Sequence, residues 1–206
     1  LYWSVVVRYS WLTDQRVRKA MNGNLSVERS SASIEAPGRL DGTMLLMLLG
    51  LGVAVVLIHQ AFRFPMNLPG RHGLDAMFLM TIGMLAAGNR WAGTATGVGA
   101  GGSAWFIGGG ALAPLLYPVV GFVFALAPGF SRSWRSSLIV LPVVAALAWA
   151  SRPIVRWFAA QATGLEFDSI ATGLLWPVGT HLTFGFIGAF GAVLVWRGGT
   201  KLRNSD

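Results

Sequence analysis

The sequence predicts an all-α membrane protein, a bundle of about six transmembrane helices with both termini cytoplasmic. Three observations carry that expectation. Between Gly42 and Trp196, 155 residues hold only ten charged side chains, and each falls between long apolar blocks. A charge at the bilayer centre costs roughly 3 kcal/mol on insertion scales, so a chain that crosses a membrane repeatedly must space its charges in this way. The 206 residues are 54% hydrophobic and 12% charged, with a mean hydropathy of +0.58, outside the range of ordinary soluble domains. They include 27 glycines, a residue that lets helix backbones approach closely in lipid.

Residues 1–41 read as a polar cytoplasmic tail, and the stretch 22–41, rich in Ser, Asn, Gly and Glu, is expected to be flexible. The first long apolar run begins near Gly42, too deep for a cleavable secretory signal. The chain starts at Leu1, and Met21 is the expected true start.

A span needs about 20 largely apolar residues. Span one is expected over Gly42–Phe62, and span two, short but uninterrupted, over Leu74–Gly88. Span three runs from Trp91 to about Ile107 and is dominated by Gly and Ala. Span four follows from about Ala111 to Ala127, between a triple glycine and Pro128-Gly129. Ser137–Ser151 is span five, and Ile170–Trp196 is a long span six that can tilt or project beyond the bilayer. Between these two, Arg152–Thr163 reads as a separate interfacial helix, with Arg152 and Arg156 one turn apart beside Trp157 and Phe158. The transmembrane domain therefore covers 42–197, and 198–206 forms a second cytoplasmic tail.

Positive charge sets the orientation. With the N-terminus inside, twelve of the sixteen Lys and Arg residues fall on the cytoplasmic side, and Arg63, Arg71, Arg152 and Arg156 fall outside. The net charge of +8 is accounted for by these cytoplasmic segments, and no basic stripe lies on a foldable soluble domain, which argues against nucleic-acid binding. The chain has no cysteine, which excludes disulfides, thiol nucleophiles, iron–sulfur clusters and Cys-zinc sites.

On this topology the three histidines gather toward the outer side: His59 in the last turn of span one, His72 in the first outer loop, His181 in span six. Gln60, Arg63, Arg71, Asp75, Glu166 and Asp168 share that side. The loop from Arg63 to Asp75 contains Pro65, Pro69, Gly70 and Gly73, which disfavour helix and predict a shaped turn over the bundle. Such a turn, carrying Arg71, His72 and Asn67, suits a gate over a polar ligand, or else it is an ordered connection whose charges meet water. Gly173, Pro177, His181, Gly185 and Ala189 recur every four residues and form a small-residue face that turns His181 into the bundle. An intramembrane ionisable residue is a functional candidate that needs a partner, although a backbone carbonyl would serve structurally. Trp105, Tyr117 and Trp176 are candidate aromatic walls or interfacial belt residues. No two histidines have helical metal-ligand spacing, so no metal site and no cofactor are expected. Gly93, Gly97 and Gly101 form a doubled small-residue pattern that reads as helix packing, since no strand precedes it as a phosphate loop requires. Gly50 and Ala54 form a lesser pair, for a partner subunit or for packing within the chain.

Phe64-Pro65, Leu68-Pro69-Gly70-Arg71-His72-Gly73, the run from Gly83 to Gly93 and Gly97-Val-Gly-Ala-Gly101 give a chain that resembles the substrate-binding S components of energy-coupling factor transporters. The resemblance covers roughly Gly42 to Trp196 and lies in architecture more than in signature motifs. It implies a small membrane subunit that captures a vitamin-like micronutrient from outside, with loop 63–75 as gate. Gly50 and Ala54 would then contact a transmembrane coupling subunit driven by two ATPases. The chain has no Walker A sequence, so ATP would be hydrolysed by partners and the chain itself is not expected to be an enzyme. The metal-uptake members of that family begin Met-His, and this chain does not, which counts against cobalt or nickel. Two other classes compete. A non-catalytic assembly subunit would account for the glycine-rich packing. A rhomboid-like serine protease would use Ser103 in Gly101-Gly-Ser103-Ala104 with His181 as base, but the last position of that motif is Ala rather than Gly and two spans separate the pair.

Overall fold

A computed structural model of the chain describes residues 40–61, 68–107, 111–130, 134–135, 137–164 and 173–203. The chain divides into two units, 1–36 and 37–206, and every described residue belongs to the second. Within it the helices run in order α1 (Gly42–Ala61), α2 (Gly73–Ala87), α3 (Ala92–Ile107), α4 (Ala113–Phe124), α5 (Ala127–Phe130), α6 (Val140–Thr163) and α7 (Leu175–Arg203). The described residues contain no strand. Three apolar stretches, Gly42–Ala61, Ala113–Phe130 and Leu175–Leu202, are long and apolar enough to cross a membrane, and α2 is a shorter apolar helix. The protein is therefore built as a helical membrane protein.

Each boundary has a local cause. Asp41 accepts the backbone N–H of Met44 at 2.7 Å and opens α1 as an acceptor at its N-terminus. α2 ends at Gly88, whose φ of +62° is the left-handed conformation that closes a helix, with its N–H donating to the Met84 carbonyl. Asn89 then accepts the N–H of Trp91 and turns the chain into α3. Ser137 Oγ accepts the N–H groups of Ile139 and Val140 where α6 begins.

Two helices differ from the sequence expectation. The segment 152–163 is not a separate interfacial helix: α6 runs unbroken for 24 residues from Val140 to Thr163. Pro153 lies inside it, so its missing N–H does not divide the helix as a charge-bounded reading expects. Arg152 is kept in place by aromatic faces described below. The last helix also continues beyond Trp196 through Gly198 and Gly199 to Arg203, into the segment expected as a tail.

The helices pack in two groups joined through α2 and α4: α1 with α3 and α3 with α4, and α2 and α6 each with α7, while α4 also meets α6. Glycine sets the first group. A Cβ at Gly52 would run into the backbone of Thr96 and Ala100, and one at Gly99 into that of Leu49. Across α3 and α4, a Cβ at Gly97 would lie 2.5 Å from the Tyr117 carbonyl oxygen, and one at Gly101 2.5 Å from that of Pro114. The Gly93, Gly97 and Gly101 pattern is thus a backbone-to-backbone contact, as small residues at this spacing permit. Met77, Met80 and Met84 of α2, with Leu116, Phe124, Leu141 and Trp149, fill the centre.

Candidate functional site

The polar groups gather where the turn before α2 meets α6 and α7. Pro69 to His72 form a tight turn, closed by the Gly73 N–H donating to the Gly70 carbonyl at 2.8 Å. Gly70 has a φ of +81°, a conformation L side chains rarely adopt. It also lies against His181, where a Cβ would sit 2.6 Å from Nδ1. The same Gly70 carbonyl accepts the Trp149 indole N–H at 3.0 Å, a buried bond between residues 79 positions apart. A Cβ at Gly73 would collide with that indole. Pro-Gly-Arg-His-Gly is therefore shaped to dock its backbone on Trp149 of α6 and His181 of α7.

His181 is buried at 6% exposure and lies beside the Trp149 ring, with centroids 6.0 Å apart and planes 26° from parallel. Its Nδ1 is 2.7 Å from the Pro177 carbonyl oxygen. A carbonyl only accepts, so Nδ1 carries the proton, and the neutral ring keeps an acceptor lone pair on Nε2. Its face of α7 is built as expected: Pro177, His181, Gly185 and Ala189 are all buried, and Gly173 is exposed. A Cβ at Gly185 would lie 2.9 Å from the Cβ of Trp149, which places α7 against α6 at the level of the histidine.

Arg152 is the centre of charge. It is 8% exposed, with its guanidinium carbon 4.3 Å from the centroid of Trp149 and 4.6 Å from that of Tyr117. Burying a guanidinium costs several kcal/mol, and a desolvated cation–π contact contributes about 2 kcal/mol, so the aromatic faces offset only part of that cost. Its Nε is buried and finds no hydrogen-bond acceptor among the described residues.

His59 and His72 meet edge to face with ring centroids 3.4 Å apart, joining the end of α1 to the start of α2. Burial first, then coupling to the His59 ring and the positive field of Arg71 and Arg152, pushes the His72 imidazole down to about 3, so it is neutral at physiological pH. Asp75 lies half-buried in the first turn of α2, within the field of Arg152. Arg156 adds positive field at His181.

The structure thus brings together His59, Arg71, His72, Asp75 and His181, and adds Trp149, Tyr117 and Arg152. Trp105 and Trp176 lie on the outer surface, 70% and 56% exposed. Asn67, Arg63, Glu166 and Asp168 lie outside the described residues. Ser103 donates to the Ala100 carbonyl at 3.0 Å, one turn back in its own helix. Gly50 faces outward with open space where a Cβ would stand, and Ala54 is half-buried. Among the described residues no group of three His, Asp or Glu side chains is arranged to hold a metal.

Sequence reasoning missed Trp149 and assigned Arg152 to the interface. A signal was present: Trp149, Arg152 and Arg156 stand at i, i+3 and i+7, one face of a helix, and that face begins within an apolar run. No protein-family model, curated protein or solved structure matches the chain.

Proposed function

We propose that the protein is a multi-pass cell-membrane subunit that captures a small polar or amphipathic solute at this cluster, in the manner of an energy-coupling factor S component taking up a vitamin-like micronutrient. Six spans with both termini cytoplasmic are part of the proposal, with α2, α3 and α6 crossing beside the three longer stretches. One observation carries the reading. A buried Arg–aromatic–His cluster in an apolar bundle is covered by a glycine turn whose contacts are backbone to side chain. Core packing alone gives no reason to bury Arg152 and His181 under a turn of unusual conformation, whereas a ligand site needs a few placed polar groups within apolar walls.

Under this reading the turn 69–72 is the movable part of the gate 63–75. It is held by the Trp149–Gly70 hydrogen bond and by contact with His181, bonds that can be exchanged for bonds to a ligand. Gly50 and its outward face on α1 are left for a transmembrane coupling subunit, and ATP hydrolysis belongs to partner ATPases. The test is purification of the tagged protein from its native membranes in a mild detergent. Recovery of ATPase subunits with it supports capture for uptake. Recovery of other membrane proteins without ATPases supports the assembly-subunit reading. That second reading has its own support, since α1, α3 and α4 are joined through glycine backbones. Fluorophosphonate labelling of Ser103, lost on His181→Ala, would instead reveal a serine protease.

A further inference from the structure

The capture reading leaves the chemistry of the ligand open, and Arg152 narrows it. The guanidinium is almost fully buried, is faced by two aromatic rings, and has an Nε–H donor with no acceptor among the described residues. Aromatic faces attract a cation but take no N–H in the guanidinium plane, where carboxylate and phosphate oxygens bind. Asp75 lies within the electrostatic reach of Arg152, yet the Arg152 Nε–H has no acceptor among the described residues. A buried guanidinium N–H left without an acceptor is completed by an anionic oxygen.

We propose that the cluster binds an oxyanion, with Arg152 as the residue that holds a carboxylate or phosphate group of the ligand and His181 Nε2 as an acceptor for a hydroxyl or N–H beside it. The proposal rests on the capture reading for its solute form. The same chemistry would also seat the headgroup of an anionic lipid, and the experiment separates the two sources.

The full-length protein, in neutral detergent and in nanodiscs, is titrated with hexanoate, hexan-1-ol and hexylamine, three probes of one length that differ in the headgroup. Binding is read by thermal shift. Arg152→Gln and Arg152→Lys are compared with Arg90→Gln, since Arg90 lies 4.9 Å from the Trp91 ring but is exposed. Hexanoate binding at least tenfold tighter than hexanol or hexylamine, lost in Arg152→Gln and kept in Arg90→Gln, establishes a solute oxyanion site. The tenfold corresponds to about 1.4 kcal/mol. Arg152→Lys guards against misfolding of the Gln variant: it retains the charge and is expected to weaken hexanoate less. If nanodiscs of phosphatidylglycerol, but not phosphatidylcholine, stabilise the protein through Arg152 while hexanoate does nothing, the oxyanion is a lipid headgroup; the inference then stands and solute capture falls. Equal binding of all three probes, or hexanoate binding indifferent to Arg152, overturns the oxyanion. A neutral or cationic molecule retained through purification would overturn it too, yet leave capture intact.

Discussion

Trp149 joins the parts of the site: its indole N–H bonds the Gly70 carbonyl, its ring lies beside His181, and Arg152 sits over it. Trp149→Phe keeps most of the ring volume and removes one of the two donors to the Gly70 carbonyl, which keeps the Gly73 N–H. That should destabilise the protein by about 0.5–1.5 kcal/mol, the net worth of one hydrogen bond, read by thermal unfolding in detergent. His72 supplies a pH prediction. Its folded value of about 3 lies below the unfolded value of 6.5, so between these the unfolded chain binds the extra proton. Stability contributed by neutral His72 is fully present above pH 6.5 and is lost as pH falls from 6.5 toward 3. The melting temperature should drop between pH 7 and pH 5, and the drop should be smaller in His72→Gln. An equal drop in both would assign the dependence to other groups. At this scale the sequence was legible where residue type decides. Histidines on one side and a Pro-Gly turn are visible in the letters. The docking of that turn on Trp149 was not, because it joins residues 79 positions apart and leaves no local pattern.

Glycine positions on the helices make contrasting predictions. Gly97→Ala puts a methyl into the Tyr117 backbone, so α3 and α4 must separate, an overpacking that typically costs about 1–3 kcal/mol. Gly50→Ala meets open space and improves helix propensity by about 1 kcal/mol, so it should leave stability unchanged or raised. Thermal unfolding of the two variants side by side checks the assignment. Loss of partner recovery with Gly50→Leu in a stable protein would assign that face to a neighbour. Helix positions were mostly readable from apolar runs, and α1, α2 and α3 lie within a residue or so of expectation. The reading failed at α6, where Arg152 and Arg156 resembled a helix end. Charge predicts a boundary only if water is its sole partner, and here Arg152 stacks on Trp149 and Tyr117 inside the continuous helix. The four-residue spacing of Gly93, Gly97 and Gly101 was a dependable guide, because close approach of two helices admits only small residues.

For the whole molecule, the absence of cysteine makes topology directly measurable. Leu68→Cys and Gly129→Cys should label from opposite sides of the membrane with an impermeant maleimide. Labelling from the same side would remove the six-span arrangement and the outer placement of the cluster. The charge asymmetry along the chain carries this prediction, since a helical bundle alone has no inside or outside. Whether the buried cluster holds a small solute is decided by native mass spectrometry of the wild type, Arg152→Gln and His181→Ala, released from mild detergent. A small molecule should be retained by the wild type and be lost or strongly reduced in both variants while they remain folded. A wild-type protein of bare mass, or a retained molecule indifferent to both substitutions, would contradict it.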